Sequence, residues 1–166
     1  MARDPDVLAG LAWGRPRRGH PEGSVGRHVA DLLARIGPDE RRRRDLRFIA
    51  IVHDAAKRRA HDPGAPAATN DHALLARRLA ERWVRDDAVL TTVELHDECW
   101  WLWHRRDAGV DARMDAIAAR IRDPALYLRF VELDQTAPGK DPRPLPWFRA
   151  ELERRCEARG FRLGGA

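Results

Sequence analysis

The segment LRFIAIVHDAAK at positions 46–57 decides the predicted fold. It lies in a predicted helix over about residues 40–59, in which apolar residues recur every three or four positions. Continuing that apolar stripe leads to His53, and Asp54 follows directly. Neighbouring side chains diverge by about 100° around a helix. His53 and Asp54 can therefore bind one ion only at the edge of the stripe, between two helices.

The same pattern recurs in three further predicted helices, whose apolar stripes lead to His72, His96 and Asp134. Four helices therefore each place a ligand-type residue on the inward face. His28 lies beside Val29 on the first predicted helix and can approach from there. Taken singly, each histidine is explained as a hydrogen-bonded core residue, and Asp134 as a solvent-facing residue at a helix end.

The fold class predicted from this periodicity is all-α, with one domain over residues 1–166. Helices are predicted over about residues 25–36, 40–59, 71–83, 87–106, from 111, 124–134 and 146–159. Ser24 is the expected N-cap of the first helix, and Asn70 or Asp71 that of the third. Gly- and Pro-rich stretches predict loops at 14–24, 61–69 and 136–146. The C-terminal Gly-Gly-Ala is expected to fray.

The composition is that of a single soluble domain. The chain has 166 residues, of which 43% are hydrophobic, which is enough for one core and too many for a disordered chain. It has no run of about 18 apolar residues and no secretory pattern at its start, so we expect a cytoplasmic protein without a membrane partner. Cys99 and Cys156 do not suggest a disulfide framework and suit a reducing compartment.

The net charge of +5 comes almost entirely from arginine and favours anionic partners such as phosphates or nucleic acid. Alternatively, the arginine content reflects a GC-rich genome, and the run at 41–44 is a solvated helix face. Nucleic acid is the less favoured partner, because we find no basic motif interleaved with aromatic residues.

A shared metal ion explains the inward-facing polar residues together. Burying a carboxylate and several imidazoles costs several kcal/mol in total unless they are paired or bind a cation. Imidazole nitrogen and carboxylate oxygen suit zinc, manganese, iron, cobalt or nickel. A structural zinc site is not expected, because no Cys-x-x-Cys pair is present.

The order His28, His53-Asp54, Asp134 resembles the H…HD…D motif of the HD-domain superfamily of metal-dependent phosphohydrolases. Two local matches add to it. The run HPEGS at 20–24 resembles the entry to the first helix, and IVHDAAK at 51–57 resembles the core motif L-L-H-D-I-G-K. Two alanines replace the usual Ile-Gly in that motif. The resemblance covers about residues 18–148 and leaves residues 1–17 and the helix at 146–159 peripheral.

The resemblance implies an HD-domain bundle of about six to seven helices with the metal between core helices, and hydrolysis of phosphomonoesters or phosphodiesters, often of nucleotides. It implies one divalent ion, with magnesium also among the candidates. The ligands of that ion would be His28, His53, Asp54 and Asp134. His72 and His96 stand where two-metal members add ligands, and Asp54 would then bridge the ions. In one-metal members, histidines at such positions contact substrate phosphate instead.

Residues that flank the motifs supply candidates for the reaction. Asp54 and Lys57 are candidate catalytic residues. Lys57 can point into the same site as Asp54 and neutralise phosphate charge; the alternative is a surface lysine. Asp97 is a candidate general acid or base, or a partner that orients a histidine. Further predicted substrate-binding residues, beside Lys57, are His20, Glu98, Trp100, Thr136 and Lys140.

Several of these candidates have ordinary alternatives. Asp97 and Glu98 could form a solvated helix edge, and the loop with Thr136 and Lys140 an ordinary surface loop. Trp100 and Trp103 are predicted to extend the inward stripe from His96, where core packing is favoured over stacking on a nucleobase. Trp101 faces elsewhere and is a candidate homodimer contact.

Two other functions fit the same residues. Some HD-fold proteins use two irons to activate oxygen and oxidise a small polyol or phosphonate, and the six ligand positions would satisfy that pattern. Those members carry a lysine after the fourth-helix histidine, whereas this chain has Asp97 and Glu98. A non-catalytic nucleotide-binding protein is the second alternative, although such a protein need not keep every ligand.

Overall fold

A computed structural model describes residues 1, 3–17, 21–62, 64 and 71–161. The regular elements of these residues are helices, which confirms the all-α prediction. The α-helices are α1 (Pro5–Ala12), α2 (Val25–Arg35), α3 (Arg43–Val52), α4 (Lys57–Ala60), α5 (His72–Ala80), α6 (Asp87–Leu95), α7 (Glu98–Arg105), α8 (Asp111–Arg120), α9 (Pro124–Gln135) and α10 (Pro144–Ala158). A 3₁₀ turn, Arg106–Ala108, follows α7.

Several predicted helix ends are confirmed by their capping contacts. The Ser24 side chain accepts a hydrogen bond from the Arg27 amide at the start of α2. The Asp71 carboxylate accepts one from the Leu74 amide and so caps α5. Helix α9 begins at Pro124, as predicted, because proline at the first position loses no helical hydrogen bond.

Two predicted helices are wrong in their extent, because each is interrupted at its histidine. The predicted helix at 40–59 ends as α3 at Val52, and α4 begins only at Lys57. The predicted helix at 87–106 ends as α6 at Leu95, and α7 begins at Glu98. The two turns, at residues 53–56 and 96–97, carry the His-Asp pairs. The described residues therefore contain more helices than the six to seven expected.

Helix α1 was not predicted and lies against the first of these turns. Its Val7 side chain is buried with Ala55 and Leu79. A Cβ atom added at Gly10 would lie 1.9 Å from the Ala55 carbonyl oxygen. Only glycine lets the α1 backbone approach the His53–Ala56 turn so closely.

Helix α9 is the central element. One side of it contributes Leu126, Phe130 and Leu133 to a core formed with α2, α3, α5 and α6. Another side contributes Tyr127, Leu128 and Val131 to a second core formed with α7, α8 and α10. A helix that is apolar on most of its circumference is buried. Because α9 lies between the two cores, Asp134 near its end is only 1% exposed.

Every helix of the described residues is too short or too polar to cross a lipid bilayer.

Candidate metal centre

Six of the residues singled out in the sequence converge where α2, α3, α5, α6 and α9 meet. Two groups of side chains could each hold a cation, with ligand atoms that all lie within 4.8 Å of one another. One group consists of His28, His53 and Asp54, and the other of Asp54, His72 and His96. Asp54 belongs to both, so its carboxylate could bridge two ions.

His53 and His96 are held in the same way. The Nδ1 atom of His53 lies 3.0 Å from the Ala50 carbonyl oxygen, and that of His96 lies 2.8 Å from the Val93 carbonyl oxygen. A carbonyl oxygen only accepts, so each Nδ1 must carry the proton. Each Nε2 then presents a lone pair to the centre, as in a metal-binding histidine. The turn that ends each helix aims the ring inward.

Two buried polar atoms of the centre make no hydrogen bond in the described part of the chain: Nε2 of His53 and Oδ1 of Asp54. The Nε2 atoms of His72 and His96 lie 3.5 and 3.4 Å from that Asp54 oxygen. Buried polar atoms without hydrogen bonds are rare in folded proteins and call for an explanation such as an ion. An N/O donor set of this kind fits a divalent transition metal.

Asp134 closes the centre from α9. Its Oδ1 atom lies 2.9 Å from Nε2 of His28 and 3.8 Å from Nε2 of His53. Its Oδ2 atom accepts hydrogen bonds from the Lys140 ammonium at 2.6 Å and from the Gln135 amide at 3.2 Å. One carboxylate oxygen thus faces the ligand histidines, while the other is held by Lys140 and Gln135.

The only two lysines of the chain both bind carboxylates of this centre. The Lys57 ammonium lies 2.6 Å from Oδ2 of Asp54, and Lys140 makes the equivalent contact with Asp134. Lys140 was predicted to bind substrate phosphate, and its position in the sequence gave no indication of the contact with Asp134. The two ammonium groups supply positive charge to a cluster that contains two buried carboxylates.

The electrostatics of the cluster favour ionised carboxylates. Burial opposes ionisation of Asp54 and Asp134, but neighbouring side chains outweigh it and hold both pKa values well below the ordinary range. The His53 imidazole and the Lys57 ammonium act on Asp54, and the Lys140 ammonium and the His28 imidazole act on Asp134. Burial lowers the pKa of His53 and so favours its neutral, metal-binding form.

His72 and Asp97 form a charged pair at the edge of the centre. Asp97 lies in the turn before α7, with Oδ2 at 3.0 Å from Nε2 of His72. Burial alone would lower the pKa of His72, but the carboxylates of Asp54 and Asp97 raise it to about 9. Against the effect of burial, the neighbouring imidazoles of His96 and His72 lower the pKa of Asp97.

The remaining predicted substrate residues are placed differently. Glu98 pairs with Arg113 and lines a groove that begins at His72. Thr136 is exposed; its hydroxyl donates to the Glu132 carbonyl oxygen and accepts from Arg35. No described contact brings Thr136 to the centre. His20 lies outside the described residues.

The inward direction predicted for Trp100 is wrong. The helix is interrupted at residues 96–97, so the spacing from His96 does not continue into α7, and Trp100 is 41% exposed. Trp101, 44% exposed, lines the groove instead, together with Arg105 and Arg113. Neither arginine was predicted from the sequence, although Trp101 and Arg105 have the i, i+4 spacing of helix neighbours.

No protein-family model matches this chain, and no curated protein or solved structure is found to be similar to it. The functional proposal therefore depends on the geometry and chemistry of the side chains.

Proposed function

We propose that the protein is a metal-dependent phosphohydrolase of the HD-domain superfamily, acting on a phosphomonoester or phosphodiester such as a nucleotide or a related small ester. The observation that carries this proposal is the sharing of Asp54 between two groups of cation ligands. Within the described residues, Nε2 of His53 and Oδ1 of Asp54 make no hydrogen bond. The order of these residues along the chain agrees with the resemblance described above.

The residues that would hold divalent ions are His28, His53, Asp54, His72, His96 and Asp134. A divalent ion held there would supply Lewis acidity toward a phosphoryl oxygen and would acidify a water molecule. All but one of these side chains are buried, and His72 is partly exposed, at the edge where substrate could enter.

The two lysines supply the positive charge that a phosphate ester requires. Lys57 and Lys140 now bind the carboxylates of Asp54 and Asp134, and both side chains keep some exposure. A lysine side chain has a flexible four-carbon stem, so either ammonium can turn toward an incoming phosphate while it remains near its carboxylate. Their role in the proposal is to neutralise phosphate charge.

Asp97 is the proposed proton acceptor at the edge of the site. Its lowered pKa keeps it ionised near neutral pH, so it can accept a proton or a hydrogen bond but cannot act as the acid in that state. Its contact with His72 also orients that imidazole. Proton acceptance needs the carboxylate and would be lost in Asp97→Asn, whereas the amide oxygen could still accept a hydrogen bond from His72.

The test is metal analysis followed by an activity screen. The purified protein is stripped of metal, reloaded with Mn, Co, Ni, Zn, Mg or Fe(II), and assayed for phosphate release from a panel of esters. The double variant His53→Ala/Asp54→Ala removes the shared ligands. The matched control is His61→Ala/Asp62→Ala, which changes the same residue types at exposed positions.

Metal-dependent phosphate release that is lost in the first variant and kept in the control is the expected result. Binding of about two irons per chain with oxygen consumption, and no phosphate from any ester, would favour the oxygenase. Tight nucleotide binding without turnover would favour the non-catalytic alternative.

A further inference from the structure

A groove of about 630 Å³ begins at the metal centre and runs along α7. His72 and Asp97 line it next to the centre, and Trp101 and Arg105, further along α7, line its outer part. Arg113 lines it from α8. The volume is within the range of small-molecule sites in proteins, about 300–1,000 Å³. Because Nε2 of His72 lies 3.5 Å from Oδ1 of Asp54, a molecule that fills the groove reaches the Asp54 side of the centre.

Most acidic side chains of the groove are already bound to positive partners. Glu98 pairs with Arg113, and Glu94 pairs with Arg77 at 3.1 Å and Arg120 at 2.6 Å. Asp97 pairs with His72. These carboxylates are therefore poorly suited to bind a further cation.

Arg105 differs from the other cations of the groove. Among the described residues its guanidinium meets no carboxylate, and its only recorded partner is the Trp101 ring, whose centroid lies 4.6 Å away. A planar guanidinium that lies over an aromatic ring keeps its edge N–H donors available to an anion. Arg105 thus offers an available positive charge at the outer part of the groove.

Trp101 gives the groove an aromatic surface. Its indole is 44% exposed, although tryptophan is usually highly buried. Trp100, the preceding residue, is exposed to a similar extent but does not line the groove. An exposed indole in a concave site is a surface on which a planar ring can stack.

We infer that this groove is the leaving-group subsite of the candidate centre, and that it takes an ester whose leaving group contains a planar ring and a second anionic group. The ring lies against Trp101, and the second anion pairs with Arg105. The inference rests on the proposed function for the position of the phosphoryl group, at the His72 and Asp97 end. It adds Trp101 and Arg105 as residues that determine specificity.

The experiment measures the binding of phosphonates, which are not hydrolysed, to the Mn-loaded full chain. Three probes form a series: butylphosphonate, 2-naphthylmethylphosphonate, and the latter with a carboxylate on the distal ring. Dissociation constants come from calorimetry, and quenching of tryptophan fluorescence reports contact with the indoles. The variants are Trp101→Leu and Arg105→Gln, and the matched controls are Trp100→Leu and Arg106→Gln.

The naphthyl probe is expected to bind about tenfold more tightly than butylphosphonate, because one stacked ring can produce a change of that size. The probe with the added carboxylate is expected to bind about tenfold more tightly again, because it gains one charge-assisted hydrogen bond. Trp101→Leu should remove the preference for the ring. Arg105→Gln should remove only the preference for the carboxylate. Neither control should alter either preference.

Equal affinity for the three probes, failure of all three to bind, or the same loss in the controls as in the variants would overturn the inference. Phosphate release in the earlier screen tests the proposed function separately. If release is absent but the ring preference and its dependence on Trp101 persist, the hydrolase proposal fails and the groove remains a binding site. If release is present without a ring preference, only the groove inference fails.

Discussion

Replacing Asp54 with asparagine tests whether the metal-free centre is held together by charge. Asp54 is 3% exposed, and its carboxylate is bound by the Lys57 ammonium at 2.6 Å. Asparagine keeps the shape but removes the negative charge, which leaves a largely buried ammonium without its nearest counter-ion. Breaking a buried pair in this way costs about 3–5 kcal/mol. Because Lys57 keeps some exposure, we expect the lower end, about 3 kcal/mol.

A loss of that size lowers the melting temperature of a chain of this length by about 6–12 °C, at about 2–4 °C per kcal/mol. The assay is thermal and urea unfolding in EDTA, followed by circular dichroism. Adding Lys57→Met to Asp54→Asn removes both charges and should recover most of the loss, so the two substitutions should be strongly non-additive. Asp62→Asn, the same change at an exposed position, should stay within about 0.5 kcal/mol of wild type.

The metal-loaded protein gives the second half of the test. At about 100 times the dissociation constant, one bound ion stabilises the fold by about 2.7 kcal/mol. Because Asp54 belongs to both ligand groups, Asp54→Asn should lose this gain entirely. The reasoning is refuted if Asp54→Asn is as stable as wild type without metal, if the double variant is less stable than the single one, or if metal still stabilises Asp54→Asn.

Three further predictions concern the metal-free protein. Gly10→Ala should cost about 1–3 kcal/mol in urea unfolding, because the new Cβ would overlap the Ala55 carbonyl oxygen; an unchanged midpoint would contradict the close packing of α1. Arg42 has a φ of 55° and pairs with the carboxylates of Asp45, Asp86 and Asp123, so Arg42→Ala should lower the unfolding free energy by about 2 kcal/mol. Arg42→Gly loses the same pairs but relieves the positive φ, so it should be about 1 kcal/mol more stable than Arg42→Ala. The opposite order of the two variants would refute the argument. The pKa of His72 is about 9 in the folded protein, above its ordinary value of 6.5. Its proton therefore stabilises the fold fully below about pH 6.5, and this contribution of about 3 kcal/mol is lost as the pH rises through 9. The difference in unfolding free energy between wild type and His72→Gln should shrink over that interval, and a constant difference would exclude the pKa shift.

Much of the candidate site could be predicted from the sequence, because helical periodicity fixes which residues share a face. Apolar spacing singled out His53, His96 and Asp134 as inward-facing, and all three are buried. Capping preferences located the starts of α2 and α5 at Ser24 and Asp71. These are local properties of the chain, determined within one or two helical turns.

The interruptions at His53 and His96 could not be predicted from local preference. The residues after His53 include two alanines and a lysine, which all favour helix, yet the chain turns there, where α1 packs against Ala55. Once the helix ends, the angular relation between one stripe and the next is lost. For this reason the periodicity gave the wrong direction for Trp100 and did not indicate that Trp101 lines the groove.

The sequence by itself determined the helical class, the candidate ligands and the inward direction of His53, His96 and Asp134. Only the tertiary structure decided that Asp54 is shared between two ligand groups, that Lys140 binds Asp134, and that Trp101 and Arg105 line the groove. The physical reason is that periodicity fixes angles within a helix, whereas distances between helices are set by how their buried faces pack. Residues far apart in the chain meet only after that packing is complete.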